Sequence, residues 1–232
     1  MKSLLILFTG LFLTPLFLNA QEDPEIVVVD SLYREDQIYI GFTYNVLTNE
    51  PEGVDNRNFS GGIHFGFLRD MPINKRRNVA IAAGLGYSFN SYGHNLFVGK
   101  EESGEGVFIP LDGDLTYDKN KFVTHELELP VEFRWRTSTP ESYRFWRVYG
   151  GIKFSYIFHF NSVFRQEGNT IRNSDIEELN RLQYTAFLNF GYNTFNFQVQ
   201  YNINGFFNDD ARIDNVPVDL STIKLGLIFY IL

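Results

Sequence analysis

Residues 122 to 136 alternate apolar and polar side chains one residue at a time, with His125 as the exception. The odd positions from Leu127 to Trp135 are apolar, whereas most of the even positions hold glutamate or arginine. Side chains of a β-strand point to opposite faces with a period of two residues, so this stretch predicts a strand that carries all its charge on one face. Taken alone, such a strand fits a soluble sheet and a membrane barrel equally well.

Seven further stretches show the same alternation, and each has one apolar parity. Their polar faces are rich in Gly, Ser, Ala, Asn and Gln, which suit a narrow, crowded interior better than a surface facing water. The eight predicted strands are residues 37–46, 59–68, 79–89, 122–136, 145–160, 182–192, 195–203 and 220–232.

The connections between these strands alternate in length. Those after the first, third, fifth and seventh strands are long, and those after the second, fourth and sixth are short. The pattern predicts an all-β fold, an eight-stranded antiparallel up-and-down transmembrane β-barrel with short periplasmic turns, long extracellular loops and both termini in the periplasm. A soluble lipocalin-like barrel is the alternative, and it would turn its apolar faces inward.

The first residues of the chain are typical of a secretory signal. One lysine precedes an apolar run from Leu4 to Leu18, and Ala20 offers a cleavage position. We expect residues 1–20 to be a signal peptide, 21–36 a periplasmic N-terminal segment and 37–232 the barrel. A membrane anchor is the alternative for the first segment, although the run is short for a span.

Charge and composition narrow the classes of partner. The net charge is −8, which argues against nucleic-acid binding, and the absence of cysteine excludes a disulfide framework. Aromatic residues make up 17% of the chain, as expected where one face of each strand meets lipid. The expected partners are outer-membrane lipid and lipopolysaccharide.

The charged face of residues 122 to 136 predicts a network inside the barrel. A small barrel is filled by side chains, and charges buried there must be paired. Arg134 and Arg147 would lie opposite each other between the fourth and fifth strands, so Glu132 would have to balance them. The predicted interior charge network consists of Glu126, Glu128, Glu132, Arg134, Arg147 and Lys153.

Trp135 and Trp146 flank the short turn between the fourth and fifth strands, where an interfacial aromatic belt is expected. A hairpin with these two residues opposite each other would place Glu128 across from Lys153, a pair of opposite charge. Pro130 interrupts the fourth strand and has no N–H group, so we expect a local gap in the hydrogen-bond ladder there.

No motif for catalysis or cofactor binding stands out. The four histidines are scattered singly, His64 and His159 with inward parity, and they lack metal-ligand spacing. The acidic loops could bind calcium but lack the regular ligand spacing of a calcium loop, and residues 173–182 predict a short helix. We expect no catalytic residue, metal or cofactor, and a lipid-modifying enzyme is the enzymatic alternative.

Residues 125–134, His-Glu-Leu-Glu-Leu-Pro-Val-Glu-Phe-Arg, resemble the leucine-glutamate-isoleucine-proline strand of PorT-like outer-membrane β-barrel proteins. Residues 19–21, the glycine-rich stretch 82–87 and the C-terminal residues 229–232 are similar to the same family. The chain departs from the usual barrel pattern at Leu232, where a terminal aromatic residue is common. The resemblance implies an eight-stranded barrel, and the family's namesake is required for type IX secretion.

On this resemblance we expect a non-enzymatic outer-membrane barrel that is an accessory or assembly component of type IX protein secretion. Its loops and N-terminal segment would contact other secretion-system proteins. The alternatives are a stand-alone structural or adhesive barrel and a narrow porin-like channel. An interior blocked by the charge network predicts little current through such a channel.

Overall fold

The computed structural model describes residues 34–101, 103–111, 113–138, 144–174 and 176–231. The predicted signal peptide, residues 21–33 of the predicted N-terminal segment, and Leu232 lie outside the described residues. The middle of the predicted turn between Trp135 and Trp146, residues 139–143, also lies outside them.

The described residues form strands joined by turns and loops, and they contain no helix long and apolar enough to cross a membrane. In chain order the strands are β1 Gln37–Thr48, β2 Gly61–Pro72, β3 Val79–Gly93, β4 Leu96–Lys100, β5 Gly106–Pro110, β6 Lys119–Arg136, β7 Trp146–Gln166, β8 Asn169–Asn173, β9 Leu182–Tyr192, β10 Phe195–Asn202, β11 Arg212–Ile213, β12 Val216–Pro217 and β13 Ser221–Ile231.

Eight of these strands close into one antiparallel barrel. Their order around the wall is β6, β3, β2, β1, β13, β10, β9 and β7, and the pairing of β6 with β7 completes the circle. The first and last strands meet along a seam that runs from Ile38 opposite Ile231 to Thr48 opposite Ser221. This architecture confirms the eight-stranded antiparallel barrel predicted from the sequence.

The apolar faces of the strands form the outer wall. On β10, Phe197 is 57% exposed while its neighbours Asn196 and Gln198 are buried. Because the polar side chains point inward, the arrangement is that of a barrel in lipid, and the soluble lipocalin-like alternative is wrong. Glycines on the inner face give room to large side chains: a Cβ atom at Gly86 would lie 2.1 Å from Oη of Tyr39.

Short and long connections lie at opposite ends of the barrel. Asn193 and Thr194 join β9 to β10, and Asn193 takes a φ of 55°, a left-handed conformation that asparagine tolerates better than most residues. The long connections are structured: β4 pairs with β5, β8 pairs with the end of β7, and β11 pairs with β12. We call the two ends the short-turn end and the long-loop end.

A β-bulge alters the inward and outward parity of β7. His125 lies opposite His159 but Glu126 lies opposite Ile157, so Phe158 is an extra residue without a partner on β6. Beyond this point Phe160 turns inward and is 2% exposed, whereas His159 is exposed. The predicted inward position of His159 is therefore wrong, and so is the outward position that strict alternation along residues 145–160 predicts for Phe160.

Pro130 produces the gap expected in the ladder. Followed from Arg136 towards Lys119, the pairing of β6 with β3 stops after Val131, which lies opposite Ala83, and resumes at Glu128, which lies opposite Gly86. Leu129 and Pro130 therefore have no partner on β3. Pro130 remains opposite Lys153 on β7. The missing N–H group thus interrupts the sheet on one side of the strand only.

The short helix predicted for residues 173–182 is wrong. The described residues of this stretch comprise the end of β8, a turn at 177–178 and a β-bridge between Leu179 and Phe207. Ile176 and Leu179 are buried in the packing that closes the long-loop end. Tertiary burial of these apolar side chains outweighs the local capping signal.

Candidate functional site in the barrel interior

The six residues predicted to form the interior charge network all point into the barrel and are buried, each with at most 4% of its surface exposed. They do not form one network. The structure brings Glu128 together with Lys153, and Glu132 with Arg134, but places Glu126 and Arg147 in other surroundings.

The predicted register between the fourth and fifth strands is wrong by two residues. Trp135 lies opposite Val148, Glu128 lies opposite Ser155, and Pro130 lies opposite Lys153. Two residues along one face of a strand bring a side chain to the next site on that face, which a lysine can span. The ion pair between Glu128 and Lys153 therefore forms along a diagonal, with 3.1 Å between Nζ and Oε2.

Glu128 is the centre of the middle layer of the interior. Its Oε1 lies 3.2 Å from Nδ1 of His64, and its Oε2 lies 3.5 Å from Oη of Tyr39, in addition to the contact with Lys153. Lys153 also donates to Oε1 of Gln200 at 3.2 Å. The carboxylate is thus compensated by a lysine on β7 and by polar partners on β1 and β2.

Glu126 is held by neutral donors. Oγ1 of Thr124 donates to its Oε1 at 2.7 Å, and Nδ2 of Asn90 donates to the same atom at 3.1 Å. The sequence-based view of Glu126 as a member of an ion-pair network did not include these partners. Lys224 is a buried lysine on β13. Its Nζ lies 5.9 Å from the ring centre of Tyr92, towards the long-loop end of the interior.

A second charged cluster closes the short-turn end, and its central residue is Asp70. Arg136 donates to both oxygens of Asp70 at 2.9 Å, and Arg134 donates to Oδ1 at 3.0 Å. Nε of Arg134 also donates to Glu132 at 2.6 Å. Both arginine side chains and the Asp70 side chain are fully buried, so each charge depends on the others.

The chain just before β1 crosses this end of the barrel. Glu35 donates its backbone N–H to Oδ2 of Asp70 at 3.3 Å, and its carbonyl oxygen accepts from Arg134 at 3.1 Å. The Glu35 carboxylate lies 3.6 Å from Nε of Arg136. The cluster formed by Glu35, Asp70, Glu132, Arg134 and Arg136 is called the mouth cluster below. Sequence reasoning missed two of these residues. It assigned Asp70 to a turn and Glu35 to a segment outside the barrel.

The direct contacts of Arg147 differ from those of Arg134 and Arg136. Its guanidinium lies 4.1 Å from the ring centre of Phe145 and 6.0 Å from that of Tyr230, and it donates to the carbonyl oxygen of Asn193. Stacking on aromatic faces and a backbone acceptor take the place of the carboxylate that the sequence predicted for it. The expectation that Glu132 balances both Arg134 and Arg147 is therefore wrong for Arg147.

An apolar layer closes the long-loop end. Tyr92 and Phe122 have ring centres 4.8 Å apart, and Phe206 packs within 5.2 Å of both. The layer combines strand residues near the long-loop end with buried loop residues, and we call it the cap. Its residues are Leu47, Val54, Tyr92, Leu96, Val98, Phe108, Phe122, Ile157, Phe160, Ile176, Leu179, Phe206, Phe207, Ala211, Val218 and Leu220. The long loops thus fold over the barrel, which their acidic composition did not predict.

His94 is fully buried next to the cap. Its Nδ1 accepts the backbone N–H of Leu96 at 3.1 Å, and its ring centre lies 5.1 Å from that of Phe122. Burial lowers the pKa of His94 to about 3, so the ring is neutral at ordinary pH. A neutral histidine among aromatic rings fits a structural role.

Trp135 and Trp146 both lie on the outer wall near the short-turn end, 42% and 58% exposed. Trp146 packs against Tyr192 with ring centres 5.3 Å apart. Within the described residues, no three His, Asp or Glu side chains are placed to hold a metal ion.

Buried polar side chains occupy the interior between the mouth cluster and the cap. A cavity of about 10 Å³ lies among Tyr39, Glu132, Lys153, Asn189 and Tyr230. That volume is the smallest that holds a single water molecule. The buried charges therefore join the strands to one another inside the barrel, as expected for a small barrel whose interior is filled by side chains.

A closed antiparallel barrel with an apolar outer wall, a polar interior and loops that differ in length between its two ends is an outer-membrane β-barrel. Residues 19–208 match the family described as outer membrane protein beta-barrel domain, and the chain belongs to that family. Its place is the outer membrane. No curated protein matches the chain.

Similar solved structures include Ail, the attachment invasion locus protein of Yersinia pestis. Its complex with the heparin analogue sucrose octasulfate is 14% identical over 85% of this chain and 99% of Ail, with a TM-score of 0.41. A second Ail structure is 15% identical over 86% of this chain and 100% of Ail, with a TM-score of 0.36. A mutant porin of Rh. blastica is 8% identical over 86% of this chain and 100% of the porin, with a TM-score of 0.21.

Proposed function

We propose that this protein is a non-enzymatic, non-conducting outer-membrane barrel that acts through its surfaces. The observation that carries the proposal is the closure of the interior at three levels. The mouth cluster, the middle layer around Glu128 and the cap each consist of buried side chains that project into the interior. A solute would have to break buried ion pairs and displace packed aromatic rings in order to pass.

The proposed orientation places the long-loop end outside the cell and both termini in the periplasm. It is supported by the usual arrangement of bacterial barrels, in which short turns face the periplasm. The outer-membrane lipid and lipopolysaccharide surround the wall, and Trp135 and Trp146 then lie at the periplasmic interface as an aromatic belt. The cap is the surface presented to the outside.

Planar bilayers test the closed interior. We expect purified protein to insert without steady current, because the mouth cluster and the middle layer remain closed even where the cap fluctuates. A variant with residues 96–110, which hold β4 and β5, replaced by a glycine-serine linker is expected to stay closed for the same reason. An open porin in the same bilayer is the positive control, and a steady ohmic conductance from folded protein would refute the proposal.

A role as an accessory or assembly component of type IX secretion is the specific form of this function that we favour. The strand motif at residues 125–134 supports it, because it resembles that of the PorT-like barrels. A barrel without a channel suits such a role, since it offers an external surface at the cap and an N-terminal segment to other secretion-system proteins. The competing form is a stand-alone structural or adhesive barrel.

Deletion of the gene separates these two forms. For a secretion component we expect the extracellular levels of type IX cargo proteins to fall at least tenfold and to recover when the gene is restored. Quantitative mass spectrometry of culture supernatants provides the measurement, and outer-membrane porins serve as the loading control. Normal cargo levels in the deletion strain exclude the secretion role and leave the stand-alone barrel.

A further inference from the structure

We propose that the outer wall at the long-loop end carries a binding site for a phosphorylated glycolipid of the outer leaflet. In this site one acyl chain lies in an apolar recess of the wall, and a phosphate group binds two lysines at its upper edge. The inference rests on the orientation proposed above, which places this end of the barrel in the outer leaflet.

The recess is an open cavity of about 680 Å³ on the lipid-facing side of β1, β2, β3 and β6. Most of the surface that lines it is apolar, and this surface comes mainly from side chains that face outward from the wall. They are Phe42, Phe59, Ile63 and Phe89. A hydrocarbon chain in such a recess contacts protein on several sides, which a flat barrel wall does not offer.

A glycine creates the recess. Gly61 occupies an outward position on β2 opposite Tyr44 on β1 and Ser91 on β3. A Cβ atom at Gly61 would lie 2.9 Å from the ring of Phe59 and 3.0 Å from the carbonyl oxygen of Thr43. Any other residue would therefore push Phe59 away from the wall and fill the space.

The upper edge of the recess is cationic. Lys119 is exposed, and Lys121 is half-buried with its Nζ 3.1 Å from Oγ of Ser91. Arg165 lies opposite Lys119 on β7, while Asp118 is the acidic neighbour, 3.7 Å from Nε of Arg165. This patch has three positive charges to one negative charge in a chain whose net charge is −8, so it favours an anion locally.

The height of the lysines on the wall matches that of a lipid head group. The outward side chains of β6 are apolar from Leu127 to Trp135, a rise of roughly 20 Å for a strand tilted by roughly 40°. His125 lies at the upper edge of this band, opposite Phe89 of the recess. Lys121 lies four residues further up the strand, roughly 10 Å higher, where phosphates lie.

The apolar recess and the two lysines together select a lipid that has both an acyl chain and a phosphate group. A neutral lipid would fill the recess but leave the lysines without an anion, whereas a soluble phosphate would leave the apolar recess unfilled. Ordinary phospholipids also carry a phosphate, and they are the competing occupant. The glycolipid is favoured because, in the proposed orientation, the recess opens to the outer leaflet.

Lipid retention by native mass spectrometry tests the site. The full barrel is placed in nanodiscs of phosphatidylcholine with lipid A at 10 mol%, and bound lipid is counted after release. We expect lipid A to remain on the wild-type protein, and Lys119→Gln combined with Lys121→Gln to reduce the retained fraction about tenfold. Phe59→Ala should reduce retention as well, and since Phe59 is 78% exposed its removal leaves the fold intact.

The control variant is Lys75→Gln with Arg76→Gln, which removes the same charge from the connection between β2 and β3 and should retain lipid A normally. Dephosphorylated lipid A and phosphatidylglycerol are the lipid controls. Retention of lipid A by the double lysine variant, or equal retention of dephosphorylated lipid A, overturns the site. Equal retention of phosphatidylglycerol overturns the assignment to a glycolipid.

A separate measurement distinguishes failure of the orientation from failure of the site. The chain has no cysteine, and a Cβ atom at Gly113 in the second long loop would meet no atom within 4 Å. Gly113→Cys should therefore react with a membrane-impermeant maleimide on whole cells. Labelling only after the outer membrane is opened would contradict the proposed orientation and with it the glycolipid, whatever the nanodisc result.

Discussion

Replacing Asp70 by asparagine is expected to destabilise the barrel by about 3–5 kcal/mol, because it removes the carboxylate shared by two buried arginines. Arg134 would keep Glu132, but Arg136 would lose the charge of Asp70 and one of its two 2.9 Å hydrogen bonds, since the asparagine NH₂ group cannot accept, and it would retain the more distant Glu35. Unfolding in urea, followed by tryptophan fluorescence of protein refolded into lipid vesicles, measures the loss.

Asp118→Asn is the matched control for this substitution. Asp118 also lies beside an arginine, at 3.7 Å from Arg165, but both side chains are more than half exposed. Water and salt screen such a pair, so its loss should cost less than about 1 kcal/mol. Equal costs for the two asparagine variants would show that the mouth cluster does not hold the short-turn end together.

Replacing Lys153 by methionine is expected to cost about 3 kcal/mol, since methionine keeps most of the volume and leaves the buried carboxylate of Glu128 without its lysine. His64 and Tyr39 would remain as polar partners of Glu128. The same vesicle unfolding measurement applies. Combining Lys153→Met with Glu128→Gln should recover at least half of the loss, because the uncompensated charge is then gone.

Lys75→Met is the control for the lysine. It removes a lysine from the connection between β2 and β3 at the short-turn end and should change the free energy of unfolding by less than about 0.5 kcal/mol. If the double variant were no more stable than Lys153→Met alone, the ion pair between Glu128 and Lys153 would not be the source of the loss.

The barrel itself was predictable because period-two patterning is a direct consequence of strand geometry. Phe197, Val199 and Tyr201 alternate with amides over eight residues, and no other regular structure separates the two sets so cleanly. Pro130 was equally readable, since a residue without an N–H group must interrupt a ladder. These features depend on local chemistry alone.

The register of β6 against β7 could not be predicted in the same way. It depends on the conformation of the short turn between them and on the bulge at Phe158, and neither has a signature in the alternation. Assigning side chains to the inner or outer face by odd and even positions assumes strict alternation along the strand. An extra residue in a bulge therefore reverses the assigned face of every later residue in that strand. His159 and Phe160 were misplaced for this reason.

Asp70, the central residue of the mouth cluster, was missed because the alternation of β2 ends before the strand does. Arg69 occupies an outward position, and the polar pair Arg69-Asp70 therefore resembled the start of a turn. The cap was missed because its residues are dispersed among acidic loops. Two apolar runs in the second long loop, 96–98 and 107–109, and the pair Phe206-Phe207 were the available signals.

The seam between β1 and β13 has a consequence for biogenesis. The paired residues of this seam, such as Ile38 and Ile231, are separated in sequence by nearly all the residues of the barrel. They are the contacts of greatest sequence separation in the fold. A chain that stops before Ser221 leaves β1 and β10 as two exposed edges in lipid, where unpaired backbone groups are costly. Closure of the barrel wall in the membrane therefore requires the eleven-residue strand β13, the last of the described strands.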